Sequence, residues 1–83
     1  MDEAVEALLP AIAEQLDSSD TPYVREAYDR ILNEPDIDDE EARSMLAFCL
    51  ADEVEAMTNE ERPFDVDRYQ LLLSLLPAMP EGR

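Results

Sequence analysis

The chain has no lysine and no histidine, and it has one glycine and one cysteine in 83 residues. Each shortage excludes something. Without histidine, the side chain that titrates near neutral pH is missing, and a serine triad has no imidazole base. With no histidine or lysine to activate it, Cys49 is a poor candidate for a nucleophile or redox thiol. A lone cysteine also forms no internal disulfide, so a cystine-stapled secreted fold is not indicated. The single glycine, Gly82, leaves tight hairpins and left-handed turns without their usual residue. It also rules out a glycine-rich phosphate loop, so nucleotide binding has no support. No stretch approaches the roughly 20 apolar residues that span a bilayer. The start, Met1-Asp2-Glu3, is acidic and no apolar leader segment follows, so the cytoplasm is the expected location.

Acid, by contrast, is abundant. Twenty-two Asp and Glu face six arginines, for a formal net charge of −16. Like-charge repulsion on that scale opposes compaction at low salt. It makes nucleic acid and membrane surfaces poor partners, since both are polyanionic. A partner drawn in by electrostatics is expected to be a basic protein. Hydrophobic residues still make up 46% of the chain, an ordinary globular fraction, and they are well patterned. Length and composition fit one small domain, 1–83, built from helix-forming Ala, Leu, Glu and Met.

Four helical segments are read from apolar spacing, at about 2–16, 22–33, 39–57 and 66–76. Val5, Leu8, Leu9, Ile12 and Leu16 form the first stripe, kinked or broken at Pro10. Thr21 is the expected N-cap of the second helix with Pro22 at its first position, and Val24, Ala27, Tyr28, Ile31 and Leu32 form its inner face. Asp38 and Glu41 make an aspartate version of the capping box before the third helix, with Ile37 as staple. That helix turns Ala42, Met45, Leu46, Cys49, Leu50 and Met57 inward. Asp65 caps the fourth, Phe64 staples onto Tyr69, and Val66, Tyr69, Leu72, Leu73 and Leu76 form its inner face. Pro77 and Pro80 close it. Thr58 to Pro63 is expected as a charged loop. The predicted fold is an all-α, small antiparallel bundle.

Few residues stand out from this framework. Asp36, Asp38, Asp39, Glu40 and Glu41 crowd together, but the twelfth position from Asp36 is Ala47 and no glycine supplies an EF-hand turn. Acids at a helix N-terminus, favoured by the macrodipole, explain the cluster without a metal. Cys49 falls on an apolar face and is expected to be a buried thiol. Glu53 projects near the centre of the third helix's apolar arc and is a candidate buried acid. It is expected to reach solvent or to pair with an arginine, with Arg25, Arg30 and Arg68 as possible partners. Leu71 and Leu75 form a second stripe on the fourth helix, and Phe48 lies off the main stripe of the third. Either the fourth helix packs centrally, or Leu71, Leu75 and Phe48 belong to an interface.

Pro10 with Ile12 and Gln15-Leu16, Asp20-Thr21-Pro22, Val24-Arg25-Glu26-Ala27 and Arg30-Ile31-Leu32 form one series of core and cap positions. It continues through Glu41-Ala42, the Leu50–Glu53 region, Pro63-Phe64-Asp65, Arg68-Tyr69 and Leu75-Leu76-Pro77. In these core and cap positions the chain resembles a functionally uncharacterised bacterial all-helical domain family. The resemblance implies an all-helical fold and a bacterial, cytoplasmic setting, with no activity to carry over. Histidines that such chains often carry beside the first proline and in the third helix are absent here, where Leu9 precedes Pro10.

The expected function is therefore a non-enzymatic protein–protein interaction module, self-associating as a homo-oligomer or joining another protein through the fourth helix. No catalytic residue, cofactor or metal ligand is assigned. An alternative is an acidic inhibitor or nucleic-acid mimic occupying a partner's basic groove. A third account assigns the acidity to a saline environment and the lack of lysine to a GC-rich genome.

Overall fold

Helix-favouring composition and 3.6-residue spacing produce four helices: α1 Glu3–Asp17, α2 Pro22–Leu32, α3 Asp39–Glu60 and α4 Val66–Leu75. The computed structural model describes residues 3–78, and no strand occurs among them. The expected start at Asp2 and the closing Pro80 lie outside the described residues. The result is a small all-α bundle. α2 and α3 each pack against all three other helices, while α1 and α4 lie against that central pair. Central packing of α4, one of the two expectations for its second stripe, is therefore not what the chain does.

α1 runs through Pro10 as one helix and is not broken there. The proline removes the hydrogen bond that the Glu6 carbonyl would accept. Pro10 and Glu6 are both exposed, so water can serve that carbonyl. Val5, Ile12 and Leu16 are buried, and Leu8 and Leu9 are half-buried against the core.

Thr21 occupies the N-cap position of α2 but does not cap it. Its hydroxyl donates instead to the Gln15 carbonyl at 2.9 Å, so it ties α2 back to the end of α1. Proline at the first helical position lowers the need for a cap, because it brings no N–H. Asp38 and Asp65 both cap their helices, though of the expected capping box only the Asp38 half forms. Asp38 accepts from the Glu41 N–H at 2.8 Å, and Asp65 accepts from the Arg68 N–H at 3.1 Å. Phe64 meets Tyr69 edge to face, with ring centroids 5.5 Å apart.

α3 is longer than apolar spacing implied, reaching Glu60 rather than Met57. Thr58, Asn59 and Glu60 extend it because no helix breaker precedes Pro63. Its apolar stripe is also less one-sided than expected. Ala47 is buried in addition to Ala42, Leu46, Cys49 and Leu50, while Met45 and Met57 are half-buried. A helix with neighbours on several sides needs apolar residues on several sides. On α4, Tyr69, Leu73 and Leu76 are buried, but Val66 is 43% exposed, because it lies at the solvent-facing start of the helix.

α3 ends at Glu61, which adopts the left-handed conformation with φ 52° and ψ 52°. The Arg62 N–H then reaches back to the Met57 carbonyl at 3.2 Å, the six-to-one bond of a Schellman turn. Glycine normally holds this position, and a side chain there costs about 1–2 kcal/mol. Glu61 also places a negative charge at a helix C-terminus, where the macrodipole disfavours it. Glu61→Gly is therefore expected to raise unfolding stability by about 1 kcal/mol, after allowing for the freer unfolded chain, as read from urea denaturation midpoints.

Candidate functional site

The left-handed turn at Glu61 brings Arg62 over α3, nine residues beyond Glu53. Glu53 is the only charged side chain wholly removed from solvent among the described residues. Arg62 grips its carboxylate with two nitrogens, Nη1 to Oε2 at 2.7 Å and Nη2 to Oε1 at 3.2 Å. Arg68, from the first turn of α4, donates Nη1 to Oε1 at 2.9 Å. The Asp65 backbone N–H donates to Oε2 at 2.8 Å. Each carboxylate oxygen thus accepts two hydrogen bonds, which fills the acceptor capacity of an ionised glutamate. Arg68 also donates Nη2 to Asp52 at 2.7 Å, and Arg62 donates Nε to Glu60 at 2.6 Å.

Glu53 is thus the buried acid that its position on the apolar arc implied. It pairs with arginine and does not reach solvent. Of the three partners expected, only Arg68 reaches it. Arg25 pairs with Asp29 on its own helix, and Arg30 goes to α4. Arg62 was not among the expected partners. Its approach depends on a left-handed residue that is not glycine, and no residue-type signal marks that turn.

The arrangement is ill-suited to proton transfer. Chiefly through the Arg62 hydrogen bonds, and against the effect of burial, the Glu53 carboxyl is held at about 2. A carboxylate with every lone pair engaged is a fixed anion. Burial pushes the Cys49 thiol up to about 12, with Asp52 adding to the rise, so the thiolate is scarce at neutral pH. Among the described residues no group of three His, Cys, Asp or Glu side chains is arranged to hold a metal ion, and no buried side-chain polar atom lacks a partner. An open depression of about 320 Å³ lies beside the ion pair, lined by residues from Arg62 to Asp67.

A second polar cluster surrounds Tyr28. The Tyr28 hydroxyl donates to Asp39, which also accepts from Arg43 Nε at 2.9 Å. The guanidinium carbons of Arg25 and Arg43 lie 5.6 and 5.7 Å from the ring centroid. The Tyr28 hydrogen bond, aided by Arg43, lowers the Asp39 carboxyl, and the same bond raises the Tyr28 phenol.

The candidate interface residues separate into two settings. Leu71 and Leu75, one helical turn apart on α4, are 58% and 55% exposed. Phe48 on α3 is half-buried and packs against the core. No protein family, curated protein or solved structure matches the chain. No helix among the described residues is long and apolar enough to cross a membrane.

Neutralising Glu53 tests the ion pair. Glu53→Gln leaves two guanidinium groups facing an amide, and is expected to cost about 3 kcal/mol in urea denaturation. The folded-state value lies below the ordinary 4.5, so this stabilisation is complete above that pH and is lost as pH falls towards about 2. Glu53→Gln should correspondingly flatten the acid limb of the stability–pH curve.

Proposed function

We propose that this protein is a non-enzymatic protein–protein interaction module that pairs with a second copy of itself through Leu71 and Leu75 on α4. The exposure of these two leucines is the observation that carries the reading. Large apolar side chains adjacent on one helix face are a natural contact when their neighbours leave them uncovered.

The distribution of charge favours a second copy as the occupant. A body of net charge −16 repels its own kind wherever acids meet. The residues from Arg68 to Pro80 contain no Asp or Glu, the longest such stretch in the chain. The exposed leucines lie within it. Pairing α4 with α4 about a two-fold axis therefore opposes the stretches poorest in acid, with Asp67, one turn before Leu71, at their edge. The filled Glu53 carboxylate and the suppressed Cys49 thiol support a role without chemistry. Cytoplasmic residence goes with this reading, since a reduced thiol such as Cys49 is the ordinary state there.

Sedimentation equilibrium tests the pairing. The wild-type chain is expected to dimerise, and more tightly as salt screens repulsion. Leu71→Glu and Leu75→Glu should each weaken the dimer by more than about tenfold while leaving the helical circular dichroism unchanged. A wild-type chain that stays monomeric at high concentration and high salt would end this reading. The alternative, an acidic inhibitor in a basic groove, rests on the −16 charge and has the opposite salt dependence: binding to a basic protein weakens as salt rises.

A further inference from the structure

We infer that Arg30, on α2, is a positioning residue that fixes the last turn of α4 and thereby sets the strength of self-association. The inference rests on the pairing just proposed. Arg30 Nη2 donates to the Leu73 carbonyl at 2.8 Å and to the Leu76 carbonyl at 3.0 Å. Leu75, the outer leucine of the pair, stands between those two carbonyls in the chain. α4 therefore receives at its C-terminus a cation supplied by another helix.

Beyond Arg30, the last turn is held by two backbone hydrogen bonds and by the burial of Leu73 and Leu76. The final carbonyls of any helix lack intrahelical partners, and a cation is their favoured neighbour. α4 carries no basic residue in its own last turn, and Leu76 and Pro77 follow it where a glycine would form a left-handed cap. The chain turns away at Leu76, with φ −59° and ψ 144°. The backbone bonds closing this end run from the Leu76 N–H to the Leu73 carbonyl at 3.2 Å and from the Ala78 N–H to the Leu75 carbonyl at 2.9 Å. A ten-residue helix is too short to be stable by itself. Its start is clamped by the Asp65 cap and the Arg68–Glu53 pair, whereas its end depends on Arg30 and on the burial of Leu73 and Leu76.

Removing Arg30 frays the turn that presents Leu75. A frayed turn must be re-ordered on pairing, which lowers the apparent affinity by the fraction of chains that are competent. Nothing on Arg30 itself needs to touch the second copy. One nitrogen makes both contacts, so a lysine amine could replace it.

The experiment compares Arg30→Met, Arg30→Lys and Arg25→Met with the wild type in sedimentation equilibrium and amide hydrogen exchange. Arg25→Met removes the same charge from the same helix at a residue whose partner is Asp29, so it controls for added repulsion. Arg30→Met is expected to weaken the dimer by about tenfold, the scale of hydrogen bonds to a charged group, and to speed exchange at Leu76 and Ala78 in the monomer. Arg30→Lys should restore most of both effects, and Arg25→Met should change neither. Equal weakening by Arg30→Met and Arg25→Met, or a wild-type dimer indifferent to Arg30→Met, overturns the inference while the pairing stands. A monomeric wild type overturns the pairing; exchange then judges Arg30, and unchanged rates at Leu76 and Ala78 overturn its role as well.

Discussion

The fold depends on keeping one buried carboxylate supplied with donors. Glu53 lies within α3 with no solvent contact, and an ionised carboxylate there is tolerable only if its oxygens are engaged. The chain meets that demand from one short segment: Arg62 in the α3–α4 connection, the Asp65 N–H at its end, and Arg68 in the first turn of α4. A buried ion pair adds little net stability compared with apolar side chains of the same volume. Its consequence is placement. With the carboxylate fixed on α3, the connection can close in few ways, and α4 must begin where Asp65 and Arg68 are held.

That placement decides which part of α4 is available. Tyr69 enters the core between Tyr23 and Phe64, and its hydroxyl donates to Gln15 Oε1 at 2.7 Å. Gln15 also receives the Thr21 hydroxyl on its backbone carbonyl. One residue near the end of α1 is thereby bonded to both the start of α2 and the middle of α4. Once Tyr69, Leu73 and Leu76 are directed inward, helical geometry leaves Leu71 and Leu75 on the outer side. Their exposure follows from where α4 is anchored, because the ten-residue helix cannot rotate to bury them without withdrawing Tyr69.

Sequence pattern made much of this legible because the relevant signals are local. The apolar stripes, the Asp38 and Asp65 caps and the Phe64–Tyr69 contact span a few residues each; the caps and the ring contact formed, and most stripe residues turned inward, Val66 excepted. Glu53 was conspicuous as an acid on an apolar arc, and Leu71 and Leu75 as a second stripe. What was not legible depends on long-range competition. The Thr21 hydroxyl donates to the Gln15 carbonyl and accepts nothing from the N-terminus of α2, and that carbonyl lies outside any local capping pattern. Arg62 reaches Glu53 through a left-handed turn at a glutamate, where residue preference points the other way. Arg30 matched the expectation of a partner for Glu53 only by charge, and its actual acceptors are backbone carbonyls distant in sequence.

The absence of lysine takes on a physical meaning at most of the described arginines. Arg62 holds two carboxylates and the Pro63 carbonyl at once, and Arg68 joins Glu53 to Asp52. Those tasks need the several fixed donors of a guanidinium, which a single ammonium nitrogen does not offer. Arg25 and Arg43 lie over the Tyr28 ring, where a planar, weakly hydrated cation is the better match. A compositional drift from lysine to arginine would not by itself sort the residues into such roles. Arg30 is the exception, because one nitrogen carries both of its contacts. Among the described arginines, Arg30, Arg62 and Arg68 are committed to joints between elements, while Arg25 and Arg43 pair with acids on their own helices at the surface. On such a surface, the residues from Arg68 to Pro80, which include the exposed Leu71 and Leu75, form the longest run of sequence without an acid.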